Sequence, residues 1–314
     1  MRRLLAFILP VLLLFFFCSC ELSHEAPAVG KMRILVYGND YSYGNLVYYS
    51  NGEQVMTDKG PASAGKLYKT VNDALQVGRA LSELAEKAHL EHEERYLTAL
   101  SDVTDSRLVS ELESLAAAAS ENDITVIYYS GHGYGIKTKM EYGYDTSTCS
   151  YLVPRFAAKP DSNVLLPISE FLELVDAIRG VKVVIGDFCY SGGLVQSGNV
   201  SVTSGEYLPM DPVTLFSKYR DDICESSSLF CLSAAKYNEL SYEKNSLLHG
   251  NFTNALLEAL GWDEENQCLK TAEAEKNGRI TLFEIANYVT AHDGESRQTP
   301  MVSGGSNDIV LFSF

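Results

Sequence analysis

Four short apolar runs stand out along the chain, at residues 33–38 (RILVYG), 124–129 (ITVIYY), 181–188 (VKVVIGDF) and 229–233 (LFCLS). Each is nearly continuous and rich in Val, Ile and Tyr, as strands buried on both faces are. Elsewhere apolar residues recur at helical spacing. Val71, Ala74, Leu75, Gly78, Leu81, Leu84, Ala85 and Ala88 form one stripe; Leu108, Leu112, Leu115 and Ala119 form a second. Phe171, Leu172, Val175 and Ile178 form a third, and Phe252, Ala255, Leu256, Ala259 and Leu260 a fourth. A last pattern, Leu282, Ile285, Ala286 and Val289, precedes the C-terminus. Strand, helix, strand, helix predicts an α/β fold with a mainly parallel central sheet. No repeat and no long linker divides it, so one domain over residues 32–314 is expected.

Two segments break the alternation. Residues 134–167 are tyrosine-rich and read as irregular; residues 195–228 are rich in Gly, Ser and Pro. Loops this long in a compact domain are usually functional or mobile. Both follow the C-terminal end of a strand, the edge where open α/β sheets bind ligands.

The N-terminus has a different pattern. Arg2 and Arg3 are followed by an apolar run to Phe17 and then by Cys18-Ser19-Cys20. The run is shorter than the roughly 20 residues a spanning helix needs and has the layout of an export signal. Ser19-Cys20 resembles a bacterial lipoprotein cleavage site. The expectation is a signal peptide over 1–19, then a lipidated Cys20 and tether over 20–31, in an exported, membrane-anchored protein of the periplasm or cell surface. An uncleaved anchor and an ordinary signal peptide are the alternatives.

Charge narrows the partners. The 314 residues carry 25 Lys and Arg against 41 Asp and Glu, a net −16. Removal of residues 1–19 takes away two arginines and leaves 23 against 41, a net −18. That argues against nucleic acid, whose binding rests on cations facing phosphates. Beyond Cys20 remain Cys149, Cys189, Cys224, Cys231 and Cys268. The number is odd, so outside the cytoplasm at least one free thiol is expected; the other four admit one or two disulfides.

The chemistry gathers at two strand ends. The second strand runs into Ser130-Gly131-His132-Gly133, the third into Asp187-Phe188-Cys189-Tyr190-Ser191-Gly192-Gly193. His132 and Cys189 are 57 positions apart. Parallel strands joined by a crossover end on the same edge of the sheet, so a thiol and an imidazole converge there, as nucleophilic catalysis requires. Taken singly, Cys189 reads as a small buried hydrophobe and Gly-His-Gly as a tight turn; taken together they favour chemistry. No second close-spaced Cys or His accompanies either, and zinc wants three or four ligands, so no metal is expected. His249 is set aside as a second base because Leu247-Leu248 suggest the approach to a helix.

Ser-Gly-His-Gly at 130–133 and Asp-Phe-Cys-Tyr-Ser-Gly at 187–192 resemble the histidine and cysteine motifs of the caspase-like cysteine peptidases, closest to metacaspases and their bacterial relatives. A histidine roughly 50 residues upstream of the cysteine fits. Val71-Asn72-Asp73-Ala74, Tyr151-Leu152-Val153-Pro154, Leu165-Leu166-Pro167-Ile168, Ser233-Ala234-Ala235 with Glu239, Ser241 and Glu243, Gly250-Asn251-Phe252-Thr253 and Gln298-Thr299-Pro300 extend the resemblance over residues 31–314. It implies a three-layer α/β/α sandwich and a cysteine endopeptidase needing no cofactor. Cys189 would be the nucleophile, His132 the acid–base, and the backbone N–H groups of Gly133 and Cys189 the oxyanion hole. In metacaspases an acidic pocket accepts Arg or Lys before the cut; its positions match Asp73, Ser130 and Asp187 here. Thr70 stands where metacaspases usually have Cys. Thr70-x-x-Asp73 also has the spacing of a helix capping box, and Asp187 also reads as a strand-end carboxylate capping a loop. Lys218 and Arg220 suggest a self-cleavage site, with an ordinary exposed loop as the other reading. Some metacaspases are activated by calcium; Asp211, Asp221 and Asp222 are candidates, without EF-hand spacing. A silent caspase-fold binding protein and another Cys-His amidase or transpeptidase are the alternative functions.

Overall fold

The computed structural model describes residues 30–41, 65–98, 105–139, 145–154, 166–196, 228–295, 297–303 and 309–314, with short strand pieces between 46 and 64. The export signal, Cys20, Cys224, the candidate calcium carboxylates Asp211, Asp221 and Asp222, and the loop cations Lys218 and Arg220 lie outside these residues.

The central sheet contains β1 (Met32–Gly38), β2 (His92–Leu97), β3 (Ile124–Ser130), β4 (Val181–Asp187), β5 (Leu229–Ser233) and β6 (Met301–Val302), in the order β6-β5-β4-β3-β1-β2. All neighbours are parallel except the β5–β6 pair. The order reverses at β1, which lies between β2 and β3. This is the type of switch point where open sheets place ligands, beyond the carboxyl ends of the strands.

The pleat splits each apolar strand between two cores. Ile34, Val36, Val126, Tyr128, Val183 and Ile185 meet α1 (Thr70–Lys87), α4 (Asn251–Leu260) and α5 (Leu282–His292) on one face. Leu35, Tyr37, Ile127, Tyr129 and Val184 meet α2 (Asp105–Ala118) and α3 (Ile168–Asp176) on the other. Strands covered twice need unbroken apolar runs, which explains why these four were legible. The expected mainly parallel sheet between two helical layers is present, and all five helical stripes are helices.

One strand has no signal in the sequence, and one expectation is corrected. Strand β2, HEERYL, has no apolar run. It is an edge strand, and charges guard it: Arg95 is bonded to Glu111 at 2.9 Å and Glu93 to Arg33 at 2.5 Å. Charged edges discourage pairing with other chains. Within residues 134–167, expected to be irregular, the described part forms strands: His132–Lys139 pairs antiparallel with Asp145–Val153, which also pairs with Leu166–Pro167. Its Gly, Lys and Thr positions hide the strand period.

Candidate active site

Every expected site residue in the described part lies beyond the carboxyl ends of β1, β3 and β4. Ser130 and Asp187 end β3 and β4 and are direct neighbours in the register. Each motif then turns away from the sheet, and the two turns touch. A methyl group added at Gly133 would fall 1.9 Å from the Cys189 carbonyl oxygen and 2.5 Å from the Phe188 ring. Only a glycine permits that approach. The contact brings the His132 and Cys189 turns together, as the sequence predicts.

The next turn is strained. Tyr190, immediately after Cys189, has a left-handed φ of 64°, a costly conformation for an aromatic residue. Its N–H donates to the Glu239 carbonyl at 2.8 Å, which helps to hold it.

His132 is buried, with Tyr41 edge-on at 4.6 Å between ring centroids. Its Nε2 lies 2.7 Å from the Gly65 carbonyl. A carbonyl only accepts, so in the neutral ring Nε2 carries the hydrogen and Nδ1 is the basic nitrogen. Burial pushes the imidazole down to about 4, partly opposed by the Gly65 bond. The Cys189 thiol faces the Ser241 carbonyl at 3.7 Å, and burial pushes it up to about 11. At neutral pH both groups are therefore uncharged. The arrangement is a neutral thiol and a neutral base on touching turns, not a standing thiolate–imidazolium pair.

The three pocket candidates come together beside them. Ser130 Oγ donates to Asp73 Oδ2 at 2.9 Å. Asp187 Oδ1 accepts from Ser241 Oγ at 2.5 Å, and Oδ2 from Thr253 Oγ1 at 2.6 Å and Thr253 N at 3.3 Å. Gly250 separates the two carboxylates: a methyl group there would lie 2.5 Å from Asp187 Oδ2 and 3.6 Å from Asp73 Oδ2. Burial, and then the Asp73 charge, raise Asp187 to about 6. Burial raises Asp73 as well, against the hydrogen bonds it accepts. Glu243 is a third member, pushed up to about 7 by burial and next by Asp73. Buried like charges favour protons or a cation.

The capping alternatives resolve differently. No side chain caps α1, and Thr70 Oγ1 instead donates to the Asn39 carbonyl. The Asp73 carboxylate accepts from Ser130, His249 Nδ1 and Gly250 N. Asp187 is a cap, but of α4 rather than of a loop, because Thr253 is in that helix's first turn. Sequence reasoning underrated His249. Its neighbours do approach a helix, yet the imidazole turns inward to Asp73 at 2.9 Å. The pair Asp73 and His249, 176 positions apart in the chain, leaves no spacing signal.

Among the described residues Cys189, Cys231 and Cys268 are free thiols. Cys231 packs in the core and Cys268 is exposed.

The family model described as the caspase domain matches residues 55–306. The chain is 28% identical to metacaspase-8 of Arabidopsis thaliana over 155 residues, covering 48% of this chain and 39% of the relative. It is 27% identical to metacaspase-4 of the same plant over 179 residues, covering 54% and 38%. The chain thus spans about two fifths of the length of these curated relatives. Its fold is similar to that of the Geobacter sulfurreducens protein GSU0716, with a TM-score of 0.55, 18% identity and coverage of 90% of this chain and 97% of that one. It is also similar to caspase-1 of Spodoptera frugiperda, with a TM-score of 0.50, 12% identity and coverage of 90% and 92%. With the caspase-domain match spanning most of its length, the chain belongs to the caspase-like family.

Proposed function

We propose that this protein is a cysteine endopeptidase that cuts after arginine or lysine. The observation that carries the reading is the contact of the His132 and Cys189 turns through Gly133, beside the Asp73–Ser130–Asp187 cluster. The substrate's cationic side chain enters the cluster, and its guanidinium or ammonium meets Asp73 and Asp187. The carbonyl then lies over Cys189. His132 Nδ1 takes the thiol proton as sulfur attacks, and the N–H groups of Gly133 and Cys189 stabilise the oxyanion. His132 returns the proton to the leaving amine, giving a thioester and a free amine. A water, deprotonated by the same imidazole, releases the acid and restores the thiol. Every step uses groups of this chain, the peptide and water, so no cofactor is invoked.

An active-site label tests this. A peptide chloromethyl ketone ending in arginine alkylates Cys189, read by mass spectrometry of the intact chain and its peptides. The aspartate analogue should not react at matched concentration. Equal labelling by both, or labelling elsewhere only, contradicts the pocket. The N-terminal sequence supports an exported, lipid-anchored form. Fatty-acid labelling of a bacterial host should mark the wild-type chain and not Cys20→Ala; label on both contradicts lipidation at Cys20.

A further inference from the structure

His249 has no place in the steps above, yet it occupies the back of the carboxylate cluster. It is 3% exposed and bonded at both ring nitrogens: Nδ1 to Asp73 Oδ1 and Nε2 to Glu264 Oε2, each at 2.9 Å. Two carboxylates at the two nitrogens call for both to carry hydrogens, which is the imidazolium form. Glu264 is itself fixed by Asn72 Nδ2 at 3.0 Å and is 25% exposed at its side chain. The row Asp73–His249–Glu264 therefore runs from the buried cluster towards solvent.

The cluster needs such a cation. Burial favours protonation of Asp73, Asp187 and Glu243, and the Asp73 charge adds to it at Asp187 and Glu243. Lys69 faces the same region, but its ammonium bonds to the main-chain carbonyls of Lys244 and His249. Lys244 bonds to the Gly294 carbonyl. Arg79 acts on the outer carboxylate, Glu264. His249 is the cation that bonds directly to a carboxylate of the cluster among these groups.

We propose that His249 is a positioning residue for substrate selection: its imidazolium, held by Glu264, keeps Asp73 ionised and fixes it for a cationic side chain. The inference rests on the basic-residue pocket proposed above. Burial opposes the charge on His249, but the bonds to Asp73 and Glu264 outweigh it and raise the imidazole. One Asp73 oxygen is thereby turned towards His249 and Gly250, while Oδ2, bonded to Ser130, faces the Asp187 side. Without the imidazolium, Asp73 gains a proton at higher pH, and protons compete with the incoming cation. Above the imidazolium's own titration the advantage fades, because Asp73 is ionised there in either case.

Binding, rather than turnover, separates this inference from the peptidase reading. Calorimetric titration of N-acetyl-arginine amide into the full chain carrying Cys189→Ala, from pH 5.5 to 8.5, gives an acid-side midpoint. Adding His249→Gln should raise that midpoint by about one pH unit, about tenfold weaker binding at pH 6. The chains should converge to within about threefold at pH 8.5. Glu264→Gln should move the midpoint in the same direction by less. It is partly exposed, so it carries the test if His249→Gln fails to fold. An unchanged midpoint in the variants, or binding weakened equally at every pH, overturns the role of His249 and leaves the pocket standing. No binding by the Cys189→Ala chain at any pH overturns the pocket itself, and the inference with it.

Discussion

Replacing His132 by glutamine should lower kcat for an arginyl peptide by about 10²–10⁴-fold, the usual contribution of a positioned acid–base. KM should change little, because His132 does not touch Asp73 or Asp187 among its described bonds. Glutamine retains a donor for the Gly65 carbonyl, so the fold should survive with a modest loss of stability. The pH profile adds a sharper expectation. His132 accepts a proton only when neutral, which holds above about pH 4. The proposed pocket would accept a cation only with Asp187 ionised, above about pH 6. The acid limb of kcat/KM for basic substrates should therefore lie near 6 and report the pocket. A wild-type limb near 4, or a glutamine variant with unchanged kcat, contradicts the division of roles between base and pocket.

Asp187→Asn should make the protein more stable above neutrality while removing its preference for basic residues. The carboxyl is raised from 3.8 to about 6 on folding, so the folded state binds a proton more tightly than the unfolded state. Its favourable contribution is full below about pH 4 and is lost as pH rises through about 6. Two units correspond to about 3 kcal/mol. Asn cannot ionise and escapes that loss, although it pairs less well with Ser241 and Thr253, at about 1 kcal/mol per weakened bond. The net expectation is a gain of about 1–2 kcal/mol at pH 8, a few degrees in Tm for a chain of this size. At pH 4 the gain should vanish. Losing one partner of a buried ion pair costs about 2–5 kcal/mol of binding, so kcat/KM for arginyl peptides should fall by about 10²–10³-fold. Thermal melts at pH 4 and 8 beside arginyl-peptide kinetics check both halves. A variant less stable at pH 8, or one that still prefers arginine, contradicts the buried-carboxylate account.

These two residues also show how far sequence reached. His132 and Cys189 were legible because each sits between a buried apolar strand and glycines, a context in which a core role is hard to sustain. Asp73 and Asp187 were legible only through a resemblance, since a helical Thr-x-x-Asp has a local explanation of its own. What decides the matter is tertiary: α1 aims Asp73 at Ser130 at the end of β3, and no period or spacing encodes that meeting. His249 fails for the same reason, its partners lying on α1 and in the turn after α4. Gly65 contributes a main-chain carbonyl, for which residue type carries no signal. In the fold, strands covered on both faces betray themselves by composition. The charged edge strand β2 and the hairpin after His132 do not, because neither carries a continuous apolar run in its sequence.

The most direct measurement is the hydrolysis of matched fluorogenic peptides ending in arginine, lysine or aspartate by purified residues 21–314, wild type beside Cys189→Ala. The account predicts release from the arginyl and lysyl peptides, none above background from the aspartyl peptide, and none from any peptide with Cys189→Ala. Cleavage of the aspartyl peptide in preference to the basic ones, or activity that survives Cys189→Ala, would contradict it.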